Sequence, residues 1–422
     1  MTYGEAMEYI SGIARFGSHL GLQNVRTLMQ YLGNPQDRLK IVHVGGTNGK
    51  GSTVSFLSHI LMRSGYKTGI YTSPYIERFT ERIRIGDEEI GEDDLGRLTE
   101  SVRDATEEML RDGYGQPTEF EIVCAIAFLY FTEQECDICV VEVGLGGRLD
   151  ATNVIPCPLL AVITTISYDH MEYLGNTLGQ IAFEKAGIIK RGGDVLLYPQ
   201  EKEAGEAFLQ VSREREACLH HAAMPEKILS ADLSGTVFLL NGREYRIRML
   251  GLNQTKNASM AVHAAVLLQK KGYSISENDI REGLWDTTWP GRFELRRKDP
   301  CVILDGAHNL EGMQVLAENL RLYFGDKKIR LIIGILKDKE YGKMLDVILP
   351  KADCAYAVCP PSDRALPAGE LAGEIRKRSA IPTVIEPDPA KAYDEAVGKS
   401  SREDVVVACG SLYYLGILRK LS

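Results

Sequence analysis

The sequence contains no apolar stretch that could cross a lipid bilayer. No run of apolar residues approaches the ~20 residues that a membrane-spanning helix needs. The first residues, MTYGEAMEYI, also lack the basic segment followed by an apolar segment that is typical of a secretory signal. We therefore expect a cytoplasmic protein without a membrane partner.

An excess of positive charge is also missing. The chain has 49 Lys and Arg against 58 Asp and Glu, which gives a formal net charge of -9. This balance argues against broad nucleic-acid binding, although it is compatible with a local basic pocket for an anionic ligand. The 422 residues, 44% of them hydrophobic, are too many for one ordinary core and predict two globular domains.

The nine cysteines follow no clear metal-binding or disulfide pattern. Several of them, Cys124, Cys301 and Cys409, lie in apolar strand-like runs, which suits buried thiols in a reducing compartment. Cys136-Asp-Ile-Cys139 has C-x-x-C spacing, but the chain has no second pair of this kind. We therefore prefer a structural role for these two cysteines.

Short apolar, β-branched segments alternate with longer helical patterns through the first part of the chain. This alternation is typical of a mostly parallel sheet with helices on both faces. The predicted strands are Lys40–Val44, Thr68–Thr72, Ile138–Val143, Leu159–Ile166 and Val195–Tyr198. The predicted helices include Lys50–Arg63, Glu92–Arg111, Thr118–Glu133 and Thr177–Ile188.

The pattern changes in the second half of the chain. At Val237–Arg248, two alternating strands flank Asn241-Gly242, which is a strong hairpin signal. Pro and Gly interrupt a helical region at Trp289–Glu294, so we predict a domain boundary there and domains at residues 1–294 and 295–422. A new series of strands and helices follows it. Its predicted strands are Cys301–Leu304, Ile329–Ile333, Cys354–Val358, Thr383–Ile385 and Val405–Ala408.

One glycine-rich segment, Ile41-Val-His-Val-Gly-Gly-Thr-Asn-Gly-Lys-Gly-Ser-Thr53, is similar to a phosphate-binding loop but departs from its usual spacing. In the standard pattern, G-x-x-x-x-G-K-[ST], a hydroxyl residue follows the lysine directly. Here Gly51 follows Lys50, and Val44 instead of glycine stands five residues before Gly49. The segment is therefore either a nucleotide site with altered spacing or a plain turn between a strand and a helix.

Phosphate binding is the preferred interpretation of this segment. A glycine-rich turn before a helix directs free backbone N–H groups and the helix dipole at an anion. Lys50 adds a positive charge for the β- and γ-phosphates, and Ser52 or Thr53 is able to face a metal. The motif alone fits a kinase, a GTPase or an ATPase equally well.

Acidic and basic side chains follow two further buried strands. Glu142 lies near the end of one strand, where the carboxylate would face the ligand crevice and suit Mg²⁺. A buried ion pair is the alternative for this residue. The second strand leads to Asp169-His170, and Lys185 lies on the helix beyond it. A lone histidine is more often structural and a lone lysine is usually solvated, so neither supports a function by itself.

Several motifs occur in a fixed order along the chain. They are Gly46-Thr-Asn-Gly-Lys-Gly-Ser52, Thr72-Ser-Pro-Tyr75, Glu142-Val-Gly-Leu-Gly-Gly-Arg-Leu-Asp-Ala-Thr-Asn153, Asp169-His170, Glu184-Lys-Ala-Gly-Ile188, Pro290-Gly-Arg-Phe293 and Asp305-Gly-Ala-His-Asn309. Together they closely resemble the folylpolyglutamate synthase / dihydrofolate synthase family, within the Mur ligase superfamily. The resemblance runs from about Leu20 to Cys409 and includes the additional glycine after the loop lysine.

The resemblance implies a fold and a reaction. The fold would be α/β, with a P-loop ATPase domain built on a mostly parallel sheet and a smaller Rossmann-like C-terminal α/β domain. In the implied reaction, the glutamyl carboxylate of a reduced folate attacks the γ-phosphate of ATP, and the amine of L-glutamate then attacks the acyl phosphate. Backbone donors, Lys50 and Mg²⁺ would offset the repulsion between the two anions.

The resemblance also assigns residues to ATP, metal and catalysis. Domain closure would complete the ATP site, because Arg292 and Asp305 straddle the predicted boundary. The implied ATP contacts are Asn48, Gly49, Lys50, Gly51, Ser52, Asn257, Arg292, Asp305 and His308. The implied catalytic residues are Lys50, Glu142, His170 and Lys185. Of the implied Mg²⁺ ligands, Ser73 and Glu142 belong to one site and His170 to a second.

Further implications concern Lys185, the folate and the assembly. Lys185 matches a lysine that becomes carbamylated, and its new carboxylate would serve the second metal site. A monovalent cation is a further candidate cofactor, and the chain is expected to be a monomer. The residues that would line the folate site are Thr118, Phe120, Glu121, Leu149, Asp150 and Ala151.

One departure from the family pattern affects the choice of substrate. Bifunctional members carry an acidic residue where this chain has Ser18-His-Leu-Gly21, so polyglutamylation of a folate is favoured over dihydrofolate synthesis. A cell-wall ligase acting on a UDP-sugar peptide is an alternative, but Gly51 and the Thr72–Arg84 segment favour folate. A P-loop switch without ligase activity has no use for Asp305–Asn309. A nonenzymatic folate- or nucleotide-binding module is the remaining alternative.

Overall fold

The computed structural model describes residues 1–13, 21–325 and 327–422. The residues that bear on dihydropteroate binding, Ser18 to Leu20, therefore lie outside the described part of the chain. No helix among the described residues is long and apolar enough to cross a membrane. All nine cysteines are free, and the three that were predicted to lie in buried strand-like runs are buried.

The described residues form two compact units that do not coincide with the predicted domains, 1–294 and 295–422. The first unit is Met1–Pro225 with Lys256–Thr287, and the second is Glu226–Thr255 with Thr288–Ser422. The chain passes from one unit to the other three times. The residues Glu226–Thr255 group with the second unit because Leu250 is part of that unit's hydrophobic core.

A mostly parallel sheet forms the centre of the first unit. Its strands are β1 (Ile41–Gly45), β2 (Thr68–Tyr71), β3 (Ile83–Ile85), β4 (Glu88–Glu89), β5 (Ile138–Glu142), β6 (Leu160–Ile163), β7 (Asp194–Leu197) and β8 (Cys218–His221). Across the described sheet their order is β4-β3-β2-β5-β1-β6-β7-β8. β3 pairs antiparallel with β2 and with β4, and the other neighbours pair parallel. All residues of β1, β5 and β6 are buried, which explains their apolar, β-branched sequences.

Helices pack on both faces of this sheet, as predicted. They are α1 (Tyr3–Ile13), α2 (Gln23–Tyr31), α3 (Lys50–Arg63), α4 (Glu92–Arg111), α5 (Glu119–Glu133), α6 (Met171–Leu174), α7 (Leu178–Ala186), α8 (Lys202–Glu214), α9 (Leu252–Lys270) and α10 (Glu277–Asp286). α5 and α7 begin one residue later than predicted, because Thr118 and Thr177 are N-caps whose side chains accept a backbone hydrogen bond.

The helix α3 is buried along most of its length. α10 covers it so closely that a Cβ on Gly283 would lie 2.6 Å from the backbone nitrogen of Ile60. At the ends of the two helices, Arg63 and Asp286 form an ion pair. α3 is therefore held by a helix that lies far along the chain.

An antiparallel sheet begins the second unit. Its strands are β9 (Lys227–Asp232), β10 (Gly235–Leu240) and β11 (Arg243–Ile247), in the order β11-β10-β9. The predicted hairpin at Asn241-Gly242 is confirmed, since β10 pairs with β11 and both turn residues have positive φ, 50° and 69°. β9 was not predicted, because most of its residues are exposed and it lacks a regular apolar pattern.

The rest of the second unit is a smaller α/β fold, as predicted. Its strands are β12 (Glu294–Lys298), β13 (Cys301–Leu304), β14 (Ile329–Ile333), β15 (Cys354–Ala357), β16 (Thr383–Ile385) and β17 (Val405–Cys409). Its helices are α11 (Leu310–Phe324), α12 (Tyr341–Ile348), α13 (Ala368–Arg378), α14 (Pro389–Gly398) and α15 (Leu415–Arg419). The described sheet has the order β12-β13-β17-β14-β15-β16, and β12 pairs antiparallel while the others pair parallel.

One strand is shorter than predicted. The sequence predicts a strand over Leu159–Ile166, but β6 ends at Ile163. The next two residues bond to the loop after β1, since the Thr164 hydroxyl donates to the Asn48 carbonyl and the Thr165 carbonyl accepts from a loop N–H. The end of β6 therefore fixes the conformation of that loop.

Candidate active site

The loop between β1 and α3 requires glycine at two positions. Gly46 has a φ of 142° and Gly49 a φ of 83°, conformations that residues with a side chain rarely adopt. A Cβ on Gly46 would lie 1.8 Å from the Thr164 Oγ1, and one on Gly49 would lie 2.4 Å from the Asn257 Oδ1. The loop follows the last residue of β1, and the neighbouring strands β5 and β6 run parallel to β1. The loop therefore lies at the carboxyl edge of the sheet, where α/β proteins bind ligands.

Hydrogen bonds hold this loop in place. The Thr47 N–H donates to the Thr165 carbonyl at 2.7 Å, and the Thr164 hydroxyl donates to the Asn48 carbonyl at 2.8 Å. The Lys50 ammonium donates to the Thr47 carbonyl at 3.1 Å. The first N–H groups of α3 have no acceptor within the helix. The loop and the N-terminus of α3 together therefore form a site suited to an anion.

Lys185 is buried against this loop rather than solvated. Its Nζ donates to the Gly46 carbonyl at 2.8 Å. The pKa of Lys185 is lowered to about 7, first by burial and then by the positive charge of Lys50. The carboxylates of Asp169 and Asp150 oppose this shift. Near neutral pH, a large fraction of Lys185 is therefore a neutral amine, unlike an exposed lysine.

Two predicted metal ligands lie next to each other at the same edge of the sheet. Glu142 is buried at the end of β5 and lies opposite Val44 of β1. The Ser73 N–H donates to the Glu142 Oε2 at 3.2 Å. A carboxylate and a hydroxyl are the hard oxygen ligands that Mg²⁺ prefers, so this pair fits that ion.

The third predicted metal ligand, His170, follows the strand β6 and precedes α6. It has a φ of 50°, and its side chain is 39% exposed. Its backbone N–H donates to the Asp169 Oδ1 at 2.9 Å, and its Nε2 lies 3.9 Å from the same oxygen. Asp169, which was not among the predicted site residues, thus accepts the His170 backbone N–H and also raises the pKa of Lys185.

Thr118 and Glu121, two of the predicted folate residues, form the N-terminal cap of α5. The Thr118 N–H donates to the Glu121 Oε2 at 2.7 Å, and the Glu121 N–H donates to the Thr118 Oγ1 at 3.3 Å. The other carboxylate oxygen of Glu121 accepts from the Val25 N–H at 3.2 Å. Both side chains therefore fix the start of α5, which places the neighbouring Phe120.

Three further folate candidates, Leu149, Asp150 and Ala151, lie on the loop after β5. Asp150 is buried, and its carboxylate accepts the N–H groups of Leu145 at 2.8 Å and Thr152 at 3.0 Å. Burial raises the pKa of Asp150, and these hydrogen bonds oppose the rise. Asp150 thus fixes the course of the loop.

Phe120 lies between an aromatic ring and a cation. Its ring centroid is 6.0 Å from that of Tyr71, with the rings edge to face, and 5.6 Å from the Arg82 guanidinium carbon. Arg82 is almost fully buried and forms an ion pair with Glu119 at 3.2 Å. Arg82 and Tyr71 were not predicted as part of the site, because neither belongs to a motif.

The remaining predicted ATP residues fall on both units. Asn257 lies beside Gly49 in the first unit. In the second unit, Asp305 follows β13, and its carboxylate accepts the N–H groups of Phe293 and Ala307, each at 2.8 Å. Burial raises the pKa of Asp305, and the charge of Arg292 lowers it.

His308 lies in the same turn as Asp305. Its Nδ1 is 2.8 Å from the Gly306 carbonyl. The structure therefore brings Arg292, Asp305 and His308 to the carboxyl end of β13.

Comparison with known proteins decides the family. The chain matches the Mur ligase middle domain over residues 44–265 and the Mur ligase, glutamate ligase domain over residues 291–412. It is 39% identical to the dihydrofolate synthase/folylpolyglutamate synthase of Bacillus subtilis (strain 168), with 99% of each chain covered. The chain belongs to the dihydrofolate synthase/folylpolyglutamate synthase family of Mur ligases. The folylpolyglutamate synthase of Lacticaseibacillus casei is 33% identical, covering 100% of this ligase and 98% of that protein.

A solved structure agrees with this assignment. The structure of Mycobacterium tuberculosis folylpolyglutamate synthase complexed with ADP and AMPPCP is 28% identical to this ligase and superimposes with a TM-score of 0.90. The comparison covers 99% of this chain and 98% of that one. The family, the two-part α/β fold and the class of ATP-dependent ligases predicted from the sequence are thus confirmed.

Proposed function

We propose that this ligase adds L-glutamate to the glutamyl carboxylate of a reduced folate and converts ATP to ADP and phosphate. The observation that carries the proposal is the carboxyl edge of the first sheet. There a glycine loop before a buried helix, the buried Lys185 and the buried Glu142 lie on adjacent strands and helices. The names of the relatives with full-length coverage support folate as the substrate.

The proposed reaction has two steps. A folate carboxylate oxygen attacks the γ-phosphorus of ATP, the bond to the β-phosphate oxygen breaks, and an acyl phosphate and ADP result. The amine of L-glutamate then attacks the acyl carbon, loses a proton, and displaces inorganic phosphate to leave an amide. In the first step two anions approach each other, so the loop N–H groups and Lys50 stabilise the charge that they bring together.

Mg²⁺ is part of the proposal. Glu142 and Ser73 would hold one ion and His170 a second, and the hard oxygens of the first two fit this ion. When bound, the ion would neutralise charge on the β- and γ-phosphate oxygens. The predictions of two Mg²⁺ sites and of a monovalent cation are retained here as parts of the proposal.

Lys185 is proposed to carry a carbamate. Its neutral amine would attack the carbon of CO₂ and lose a proton, which turns a cationic side chain into an anionic one. Burial and the resulting pKa of about 7 favour this reaction, because only the neutral amine is a nucleophile. The carbamate would lie beside Lys50, whose charge would stabilise it.

The folate would bind near the start of α5. We propose that Phe120, held by Tyr71 and Arg82, offers an aromatic surface to the pterin. Thr118, Glu121, Leu149, Asp150 and Ala151 would line the same site. Since Thr118, Glu121 and Asp150 already bond to backbone N–H groups, they would act mainly by holding the backbone that faces the ligand.

A second activity, dihydrofolate synthesis from dihydropteroate and glutamate, is also proposed. It is favoured by the double name of the relative that is 39% identical over nearly its whole length. The chemistry is the same, with the carboxylate of dihydropteroate in place of the folate carboxylate. The ATP contacts of Asn257, Arg292, Asp305 and His308 remain predictions, as do a monomeric state, a cytoplasmic location and the lack of nucleic-acid binding.

One assay tests the proposal against its alternatives. ADP release from ATP and Mg²⁺ is measured with tetrahydrofolate, dihydropteroate or a UDP-sugar peptide, each with and without its amino acid. We expect release with tetrahydrofolate that depends on glutamate, and a product whose mass has increased by one or more glutamyl residues. Release that needs neither glutamate nor a folate would contradict the proposed function.

A further inference from the structure

Three side chains of types that bind metals lie close together on β7 and β8, the last two strands in the order of the first sheet. Asp194 of β7 pairs in register with Cys218 of β8, and His220 follows two residues later. Residues two apart on a strand lie on the same face, so Cys218 and His220 share one face of β8. One ligand atom from each of the three side chains lies within 4.8 Å of the others.

Charge and hydrogen bonding hold Asp194 in its ionised form. The His220 Nε2 lies 2.7 Å from the Asp194 Oδ1, and the Lys271 ammonium donates to the Asp194 Oδ2. Burial raises the pKa of Asp194, but the hydrogen bonds from Lys271 and His220 outweigh this, and the pKa is lowered. An Asp194 oxygen therefore becomes a metal ligand only when one of these two hydrogen bonds opens.

We propose that Asp194, Cys218 and His220 bind one divalent transition-metal ion of the zinc class. Thiolate, imidazole and carboxylate are the ligands that proteins use for Zn²⁺, and three such ligands leave a fourth position for water. Mg²⁺ is a poor fit, since it prefers oxygen ligands. At Zn–N and Zn–O distances of about 2.0–2.1 Å, the nitrogen and oxygen lie roughly 3.3 Å apart, so the bond between His220 and Asp194 opens by only ~0.6 Å.

The site is separate from the catalytic edge. Asp194 and Cys218 are the first residues of β7 and β8, whereas the glycine loop follows the last residue of β1. Because these strands run parallel, the cluster lies at the amino ends of the strands and the loop lies at their carboxyl ends. A metal there would tie β8, the last strand in the sheet order, to its neighbour β7.

Lys271 competes with the metal for Asp194. Its ammonium occupies one carboxylate oxygen, and its positive charge repels an incoming cation. Removing this charge should therefore raise the affinity for the metal, whereas removing a ligand should lower it.

The test uses the metal-free 422-residue chain in excess Mg²⁺. Titration with Co²⁺ is expected to give a thiolate-to-cobalt absorption band that saturates at one ion per chain. Cys218→Ser abolishes the band, and both Cys218→Ser and His220→Ala weaken Zn²⁺ binding at least about tenfold by competition titration. Lys271→Met keeps the band and binds Zn²⁺ more tightly than the wild-type protein.

Two matched controls separate the site from other surface groups. Cys157→Ser removes another exposed cysteine, and His221→Ala removes the neighbouring histidine, which lies on the other face of β8. Both controls keep the band and the wild-type affinity. No thiolate band in the wild-type protein, or a band that persists in Cys218→Ser, overturns the proposal. Unchanged Zn²⁺ affinity in Lys271→Met removes Asp194 from the ligand set.

Discussion

At the scale of single residues, Lys185 differs most from what its residue type suggests. An exposed lysine is almost fully protonated at neutral pH, but the pKa of Lys185 is lowered to about 7 by burial and by Lys50. A protonated amine does not react with CO₂. The reactivity of Lys185 should therefore increase as the pH rises through 7.

The first prediction is that Lys185→Ala abolishes turnover and that short-chain carboxylic acids partly restore it, because they would replace the proposed carbamate. In the wild-type protein at a fixed concentration of dissolved CO₂, the rate of activation should rise about tenfold from pH 6 to pH 8. This is the increase in neutral amine for a pKa of about 7. The measurement is ADP release after incubation with CO₂ at each pH.

Lys190 provides the matched control for this experiment. Burial also lowers its pKa, to about 8, and its Nζ donates to the Asn153 carbonyl at 3.0 Å, away from the glycine loop. Lys190→Ala should therefore keep a rate that short-chain acids do not change. A near-normal rate in Lys185→Ala would remove the carbamate role.

At the scale of elements, the glycines at the two ends of α3 distinguish two costs of adding a side chain, backbone strain and steric collision. Gly49 at its start and Gly65 just beyond its end have nearly the same φ, 83° and 85°. A Cβ on Gly49 would lie 2.4 Å from the Asn257 Oδ1, whereas nothing lies within 4 Å of a Cβ on Gly65. The two positions thus share the backbone strain but not the collision.

The second prediction compares alanine at these two glycines. Gly65→Ala should lower the free energy of unfolding by about 1–2 kcal/mol, the cost of a left-handed conformation, and leave the KM for ATP unchanged. Gly49→Ala should cost more, because the loop or Asn257 must move, and should lower kcat/KM for ATP at least about tenfold. Urea unfolding and steady-state kinetics measure the two effects. Equal effects of both changes on kcat/KM would show that ATP use does not depend on the conformation of the loop at Gly49.

Strands buried on both faces could be predicted from the sequence, whereas the exposed strands β8 and β9 could not. β1, β5 and β17 are fully buried and show the continuous apolar runs that identify them. β8 and β9 are largely exposed, so no apolar pattern marks them. Their position is decided by pairing with a neighbour, which the local sequence does not record.

The placement of the candidate site residues could be predicted from the sequence where these residues belong to motifs at strand ends. The proximity of Glu142 to the glycine loop follows from the parallel arrangement of β1 and β5. The bond between Lys185 and Gly46 joins residues 139 positions apart, and the sequence does not encode that distance locally. The same holds for Thr164, which directly follows β6 and whose hydroxyl donates to the Asn48 carbonyl of the loop.

At the scale of the whole molecule, the first unit is made of two separate segments of the chain, and so is the second. Leu250 lies in Glu226–Thr255, the shorter of the two segments that form the second unit. It is 6% exposed and packs in the same core as Phe293 and Leu331. Just after it, the Gly251 N–H donates to the Tyr323 hydroxyl at 2.9 Å.

The third prediction follows from this packing. Leu250→Ala should destabilise the second unit by about 2–4 kcal/mol, through lost burial and the cavity that remains. Hydrogen exchange should show faster opening of β13, β14 and β17, with β1, β5 and β6 unchanged. Leu233→Ala is the control, since Leu233 lies in the same segment and is 43% exposed. Equal effects of the two changes would place Leu250 outside the core.

The pairing of α3 with α10 sets the order in which the protein can fold as it is made. Arg63 and Asp286, at the ends of the two helices, are 223 residues apart. At a synthesis rate of 5–20 residues per second, roughly 10–45 s pass between the emergence of α3 and that of α10 from the ribosome. During this time the face of α3 that α10 will cover, near Ile60, has no partner. The nascent chain therefore exposes an apolar face of the helix that follows the glycine loop, and we expect chaperones to bind this face during translation.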